Sequence, residues 1–160
     1  MEPPVKKFLP DSIHPAMQPK TLVLNLTGTL LQTDFVFGKG LVMKRRPGLN
    51  NFLKRLSQKY EVVIFSDDDF MFLTTAVEHL DPRQQIFMGA FGRESMVWSN
   101  GRYIKDLSYL NRDPRNIVVI DRDVRNVGKH PQNVILLKEF AGDDSDQELN
   151  KLLPLLESNS

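Results

Sequence analysis

The sequence predicts an α/β fold with a central parallel sheet, and three observations support this. Apolar runs of strand length recur at 21–26, 61–66, 116–120 and 134–137. Runs that are apolar throughout are typical of strands covered on both faces, as in parallel sheets. Stretches with helical spacing lie between and after these runs, and strands alternating with helices form βαβ units. The composition, 41% hydrophobic and 26% charged, is that of an ordinary globular domain.

A single domain is predicted over 21–157, preceded by an arm over 1–20. The full chain of 160 residues is within the usual size of one domain. The arm holds five of the ten prolines. Proline fixes φ and removes a backbone donor, so we expect the arm to be extended, either draped over the domain or disordered.

Three segments have helical spacing. The first follows Pro47, which suits a helix start, and its apolar face is Leu49, Phe52, Leu53 and Leu56. The second runs over 70–80 and ends at Asp81-Pro82. The closing helix presents leucines at 149, 152, 153 and 156, and we expect Pro154 to break or bend it.

Two hairpins are predicted. Residues 35–40 have glycine at the turn, and residues 96–104 place Asn100-Gly101 between two strand-like arms. The Asn-Gly dipeptide favours a type I′ turn. The second hairpin lies between the second helix and the third strand, so it is predicted to be an insertion.

Composition excludes several functions. The chain has no cysteine, so disulfides, thiolate catalysis and cysteine metal sites are excluded. A net charge of +1 gives no global attraction to nucleic acid or lipid. No apolar run approaches the ~20 residues that span a bilayer, and the N-terminal residues do not have a leader pattern. We therefore expect a protein that works where it is made, or a soluble piece of a longer protein.

Polar residues at the predicted strand ends have the layout of a phosphoryl-transfer site. They are Asn25, Thr27, Thr29, Ser66, Lys105 and Asp121. Their order resembles the haloacid-dehalogenase-like phosphatases, which implies a three-layer sandwich with a central parallel sheet and an inserted hairpin. In that superfamily two carboxylates stand where this chain has Asn25 and Thr27, the first as nucleophile and the second as proton shuttle. An amide is a feeble nucleophile and a Thr hydroxyl a poor acid or base near neutral pH.

The resemblance therefore implies an inactive phosphatase-like domain, in which the six positions are vestigial. We expect no cofactor and no metal site, with at most weak residual Mg²⁺ binding through Asp121, because Mg²⁺ favours carboxylate ligands. Two alternatives remain open. One is an active Mg²⁺-dependent phosphatase of the RNA polymerase II tail type, and the other is a pseudophosphatase that binds phosphopeptides through Ser66 and Lys105.

Longer motifs resemble a narrower group. Lys-Arg-Arg-Pro-Gly at 44–48 and the strand at 60–66 are similar to phosphatases of the polymerase tail, as are 104–113 and 118–121. The Leu-Thr-Gly-x-Leu-Leu of 26–31, together with 80–82, 110–113 and 142–144, resembles the presequence-receptor subunits of the mitochondrial inner-membrane translocase, the Tim-fifty family. The similarity covers about residues 20–156.

This resemblance implies a receptor in the intermembrane space that binds basic amphipathic presequences and the translocase channel subunit. It implies no nucleic-acid partner, and membrane association only through a segment absent from this chain. A receptor for such helices needs acidic and apolar residues together. Asp67, Asp68 and Asp69 followed by Phe70, Met71 and Phe72 are the predicted presequence site, with a helix-capping turn as the alternative.

The hairpin at 96–104 is the predicted contact with the channel subunit. Its candidate residues are Trp98, Asn100, Gly101, Arg102 and Tyr103, since Trp, Tyr and Arg are common interface anchors. The alternative is that Trp98 packs back onto the sheet. A second acidic cluster over 143–146 is expected to cap the closing helix, and the basic run at 44–46 is expected to be structural or solvated.

Overall fold

The computed structural model describes residues 7–12, 14–128 and 130–160. Within them the chain forms a five-stranded parallel sheet. Its strands are β1 Thr21–Leu24, β4 Glu61–Phe65, β5 Phe87–Phe91, β8 Ile117–Asp121 and β9 Val134–Leu136. Their order in the sheet is β5-β4-β1-β8-β9. The predicted α/β class with a central parallel sheet is confirmed. β1 lies at the centre and is buried along its whole length, as its apolar run predicts.

Both edges of the sheet depart from the prediction. The edge strand β5 was not predicted, because Gly89 interrupts its short run of partly buried residues. The prediction that β9 is buried on both faces is wrong. β9 is the opposite edge, where Val134 and Ile135 are half-buried and Leu136 is 57% exposed.

One face of the sheet packs against three helices, α1 Leu49–Leu56, α2 Phe70–Leu80 and α3 Glu148–Ser158. The leucines and phenylalanines that give the helical spacing are buried in this layer together with Leu22, Leu24 and Ile64 of the strands. The three helices are confirmed. Of the two effects expected at Pro154, a break or a bend in the last helix, the break is wrong. α3 continues through Pro154, which loses a helical donor without ending the helix.

The other face is covered by short 3₁₀ turns. Val23, Phe65 and Val119 of the strands pack against the turns Leu107–Leu110 and Val124–Val127. The arm completes this layer, because the Phe8 ring lies 4.8 Å from the Phe91 ring centroid and Leu9 is buried. The described part of the arm is therefore draped over the domain, while Pro3 and Pro4 lie outside the described residues.

Two antiparallel hairpins extend from the sheet domain. One pairs β2 Leu31–Val36 with β3 Gly40–Arg45, and the other pairs β6 Val97–Ser99 with β7 Arg102–Ile104. Asn100 and Gly101 have φ values of 51° and 83°, the left-handed conformations that a type I′ turn requires. Trp98 is 62% exposed, so it does not pack back onto the sheet, and its ring meets Tyr103 edge-on.

Candidate functional site

The carboxyl ends of three neighbouring strands bring the predicted site residues together. Asn25 follows β1, Ser66 follows β4 and Asp121 ends β8, while Lys105 follows β7. This is the edge where parallel α/β sheets place their sites. All four side chains are fully buried, and together they form what we call the polar pocket.

Lys105 is the centre of the polar pocket. Its Nζ donates to Asp121 Oδ2 at 2.7 Å and to Asn25 Oδ1 at 2.9 Å. Burial lowers the pKa of the Lys105 ammonium, and the attraction of Asp121 opposes that shift. A buried cation of this kind depends on its acidic partner, so the pair ties β8 to the segment after β7, and the bond to Asn25 adds the loop after β1.

Asn25 cannot serve as a nucleophile here. Its Nδ2 donates to the Thr27 carbonyl and to Thr29 Oγ1, both at 2.9 Å, which uses both amide protons. Its Oδ1 accepts from Lys105 and lies 3.1 Å from Ser66 Oγ. An amide has no charged oxygen that could form an acyl phosphate, and this one is engaged on both ends.

The residues present do not fit a magnesium ion. Asp121 Oδ1 already accepts from the backbone nitrogens of Arg122 and Asp123 and from Asn126 Nδ2, while Oδ2 accepts from Lys105. Mg²⁺ is usually held through one or two carboxylates with waters. Across residues 7–12, 14–128 and 130–160, His, Asp and Glu nowhere form a group of three that could hold a metal ion.

Asp68 makes a contact that the sequence did not predict. Its carboxylate accepts from Thr27 Oγ1 at 2.7 Å, from the Thr27 backbone nitrogen at 3.2 Å and from Ser66 Oγ at 2.7 Å. Thr27 is thus bound to a carboxylate of the loop that follows β4. A run of three aspartates gives no indication of which one turns inward, so sequence pattern alone could not find this contact.

The predicted acidic triplet divides into three roles. Asp69 is the N-cap of α2 and accepts from the Phe72 backbone nitrogen at 2.9 Å, which fits the capping alternative. Asp68 points to Thr27, and Asp67 lies 3.4 Å from Arg122 with a side chain 37% exposed. The three carboxylates therefore do not form one free acidic cluster.

The apolar residues after the triplet also divide. Phe70 and Met71 are 61% and 79% exposed, whereas Phe72 is half-buried against the core. Met71 and Phe72 line a groove between α2 and the first hairpin. We call this the apolar groove, and its other apolar lining residues are Leu41, Val42 and Met43. The sequence did not predict that the hairpin contributes to this groove, because nothing in the local pattern indicates that β3 faces α2.

Arg46 of the basic run at 44–46 has a structural role, which is one of the two alternatives expected for that run. It is buried, donates through Nε and Nη2 to Asp146 at 2.8 and 2.9 Å, and donates to the carbonyls of Thr29 and Lys138. Asp146 therefore serves Arg46 as well as the first turn of α3, whose N-cap is Gln147. The expected cap for the closing helix therefore comes from Asp146, which accepts from the Glu148 backbone nitrogen at 3.1 Å, while Gln147 at the N-cap position has no side-chain capping bond.

Comparison with known proteins gives a consistent result. The family model for NLI interacting factor-like phosphatase matches residues 20–160. The mitochondrial import inner membrane translocase subunit tim50 of Neurospora crassa is 38% identical over 156 residues, covering 98% of this chain and 29% of that protein. The Arabidopsis thaliana subunit TIM50 is 38% identical over 157 residues, covering 98% and 41%. The chain thus spans less than half of the length of either relative.

Solved structures show the same fold. Fcp1, an essential RNA polymerase II CTD phosphatase, superposes with a TM-score of 0.67 at 19% identity, covering 88% of this chain and 50% of that one. At this identity the likeness shows the fold alone. The predicted resemblances to a phosphatase-like fold and to the translocase subunits are both confirmed.

Among the described residues, no helix has the length and apolarity needed to cross a membrane.

Proposed function

Because the chain belongs to the NLI interacting factor-like phosphatase family, we propose that it is a non-catalytic member of that family. We further propose that it serves as the presequence-binding domain of a mitochondrial inner-membrane translocase subunit, facing the intermembrane space. The identity to tim50 of Neurospora crassa over 98% of the chain supports the translocase assignment. The state of the polar pocket supports the loss of catalysis, because Asn25 and Thr27 supply neither a nucleophile nor a proton shuttle.

The observation that carries the binding proposal is the exposure of Met71 at the mouth of the apolar groove. Methionine is flexible and polarizable, so it adapts to apolar faces of different sequence. Asp67 and Asp69 lie at the adjacent end of α2, where partly or fully exposed carboxylates attract basic side chains. An amphipathic presequence helix would place its apolar face in the groove and its basic face toward these two acids.

The hairpin of β6 and β7 is the proposed contact with the channel subunit. Trp98 and Tyr103 are 62% and 48% exposed and lie edge to face, with ring centroids 5.0 Å apart. Exposed aromatic pairs of this size are typical anchors of protein interfaces. Arg102 donates to Asn126 Oδ1, so the ribbon is held against the turn after β8.

The binding proposal is tested with a fluorescent presequence peptide and the full chain. We expect Met71→Ser to weaken binding roughly tenfold, the effect of losing one buried apolar side chain. Met17→Ser is the matched control, because Met17 is 81% exposed in a different part of the chain. Equal binding by both variants would show that the apolar groove is not the receptor surface.

Charge is tested separately through the salt dependence of the same binding. Asp67→Asn is expected to weaken binding and to flatten its dependence on ionic strength, since exposed charges mainly speed association and are screened by salt. Asp144→Asn, at a side chain 89% exposed, is the control. An unchanged slope for Asp67→Asn would remove the acidic loop from the proposal.

A further inference from the structure

We propose that Asp68 is a built-in anion that fills a cradle for tetrahedral oxyanions, formed by the Thr27 backbone N–H, the Thr27 hydroxyl and the Ser66 hydroxyl. While the carboxylate is in place, phosphate competes poorly for these donors. When it is removed, the cradle takes a free oxyanion. This proposal does not depend on presequence binding.

The first support is the convergence of donors on one carboxylate. Thr27 donates through its backbone N–H to Asp68 Oδ2 at 3.2 Å and through Oγ1 to Oδ1 at 2.7 Å. Ser66 Oγ lies 2.7 Å from Oδ2. Three donors from two different loops thus meet on the two oxygens of Asp68. Hydrogen bonds from neutral donors to a charged carboxylate are stronger than hydrogen bonds between two neutral groups.

The cradle is formed partly by a buried side chain, and two cations lie near it. Ser66 is fully buried, and its hydroxyl oxygen accepts from the Leu26 backbone nitrogen at 3.1 Å. Of the two acceptors within reach of its proton, Asp68 Oδ2 at 2.7 Å is nearer than Asn25 Oδ1 at 3.1 Å. Two cations lie close by. Lys105 shares the Asn25 side-chain oxygen with Ser66, and Arg122 donates to the Thr27 carbonyl at 2.6 Å. These charges favour an anion at this position.

The loop that carries Asp68 is held in place by hydrogen bonds from Arg93 to its backbone carbonyls. The Asp68 carbonyl accepts from the Arg93 backbone nitrogen at 2.9 Å, and the Asp67 carbonyl accepts from Arg93 Nε at 3.0 Å. Gly92 allows this approach, since a Cβ there would lie 2.8 Å from the Asp68 carbonyl oxygen. The carboxylate is therefore held at the donors at high effective concentration. A free anion would have to displace it from these donors.

The test compares two variants that lose the same charge at neighbouring positions. Asp68→Ala empties the cradle, whereas Asp67→Ala leaves Asp68 in place. Inorganic phosphate is titrated onto each full chain while the amide signal of Thr27 is followed by NMR. We expect phosphate to bind Asp68→Ala at least about tenfold more tightly than wild type, since freed donors regain charge-assisted bonds. Asp67→Ala should behave like wild type, and adding Ser66→Ala to Asp68→Ala should cancel the gain.

Two results overturn the proposal. The first is a folded Asp68→Ala variant that binds phosphate no better than wild type. The second is an equal gain in phosphate affinity from Asp67→Ala, because the gain would then come from the loss of a negative charge and not from the emptied cradle. If Asp68→Ala does not fold, Asp68→Asn removes the charge and keeps the shape of the side chain. In that variant phosphate must still move the Thr27 signal more than in wild type, and equal shifts would overturn the proposal.

Discussion

The polar pocket and the apolar groove both use residues that follow β4, Ser66 in the pocket and Met71 in the groove, and their side chains behave in opposite ways. In the pocket Asn25, Lys105 and Asp121 have no exposed surface and bond to one another. In the groove Met71 is 79% exposed. Buried polar groups need their partners, whereas an exposed apolar side chain gains from being covered. The residues at phosphatase positions are thus bonded within the fold, and the proposed recognition surface is the exposed groove.

The largest effect is expected in the pocket, from Lys105→Met. This variant leaves Asp121 buried without its cation, and breaking a buried ion pair costs about 3–5 kcal/mol. The free energy of unfolding from urea denaturation measures the loss. Lys7→Met is the control, because Lys7 pairs with Asp11 across exposed side chains, 56% and 77%, and surface changes cost less than about 0.5 kcal/mol.

The double variant Lys105→Met with Asp121→Asn sharpens this result. Removing both charges eliminates the unpaired ion, so we expect it to be more stable than Lys105→Met alone. A loss no larger than that of Lys7→Met in the single variant would contradict the structural role of the pair.

The next effect is expected at Asp146, which clamps Arg46 outside the pocket. Two hydrogen bonds from the Arg46 guanidinium hold the pKa of Asp146 below its usual 3.8. A carboxyl whose pKa is lower in the folded state stabilises the protein above 3.8, and this contribution is lost as the pH falls below that value. Asp146→Asn is expected to cost about 2–3 kcal/mol at neutral pH and to reduce the slope of stability with pH in the acid range.

The measurement is urea unfolding at a series of acid pH values. Asp144→Asn supplies the control, because that side chain is 89% exposed and its pair with Lys44 lies at the surface. If Asp146→Asn unfolds with the same acid slope as wild type, the clamp does not set the stability of the loop before α3.

Much of this fold follows from local pattern. The fully apolar run of β1, the leucine spacing of α1 and the Asn100-Gly101 turn each specify their element through neighbours in sequence. The edge strands were harder, because β5 contains Gly89 and β9 is partly exposed. Edge strands are buried on fewer sides, so their sequences have a weaker apolar signal.

The site was predictable only as a set of positions. Asn25, Ser66, Lys105 and Asp121 meet because parallel strand ends share one edge of the sheet. The sequence could not show that Asp68 turns to Thr27 while Asp69 caps α2, since the three aspartates are chemically identical. Their orientations depend on tertiary contacts such as the bonds from Arg93, which is more than twenty residues away in sequence.

A smaller effect on the stability of the protein is expected at Asp69, at the start of α2. Asp69→Ala removes the N-cap of α2 and should cost about 1 kcal/mol. Asp69→Ser keeps a side-chain oxygen for the Phe72 nitrogen, so its stability should stay near wild type. Thermal unfolding checks both variants. Equal losses would mean that the charge of Asp69, and not its hydrogen bond, stabilises the helix.

The smallest effect is expected for Asn25→Asp, which restores a carboxylate at the nucleophile position. We expect no phosphate release from p-nitrophenyl phosphate with Mg²⁺, because Thr27 still supplies no acid and Asp68 still occupies the nearby donors. The new oxygen would also face the Thr27 carbonyl, which now accepts from the Asn25 amide at 2.9 Å. Turnover above wild type that is lost on adding Asp121→Ala would show that one substitution suffices to restore catalysis.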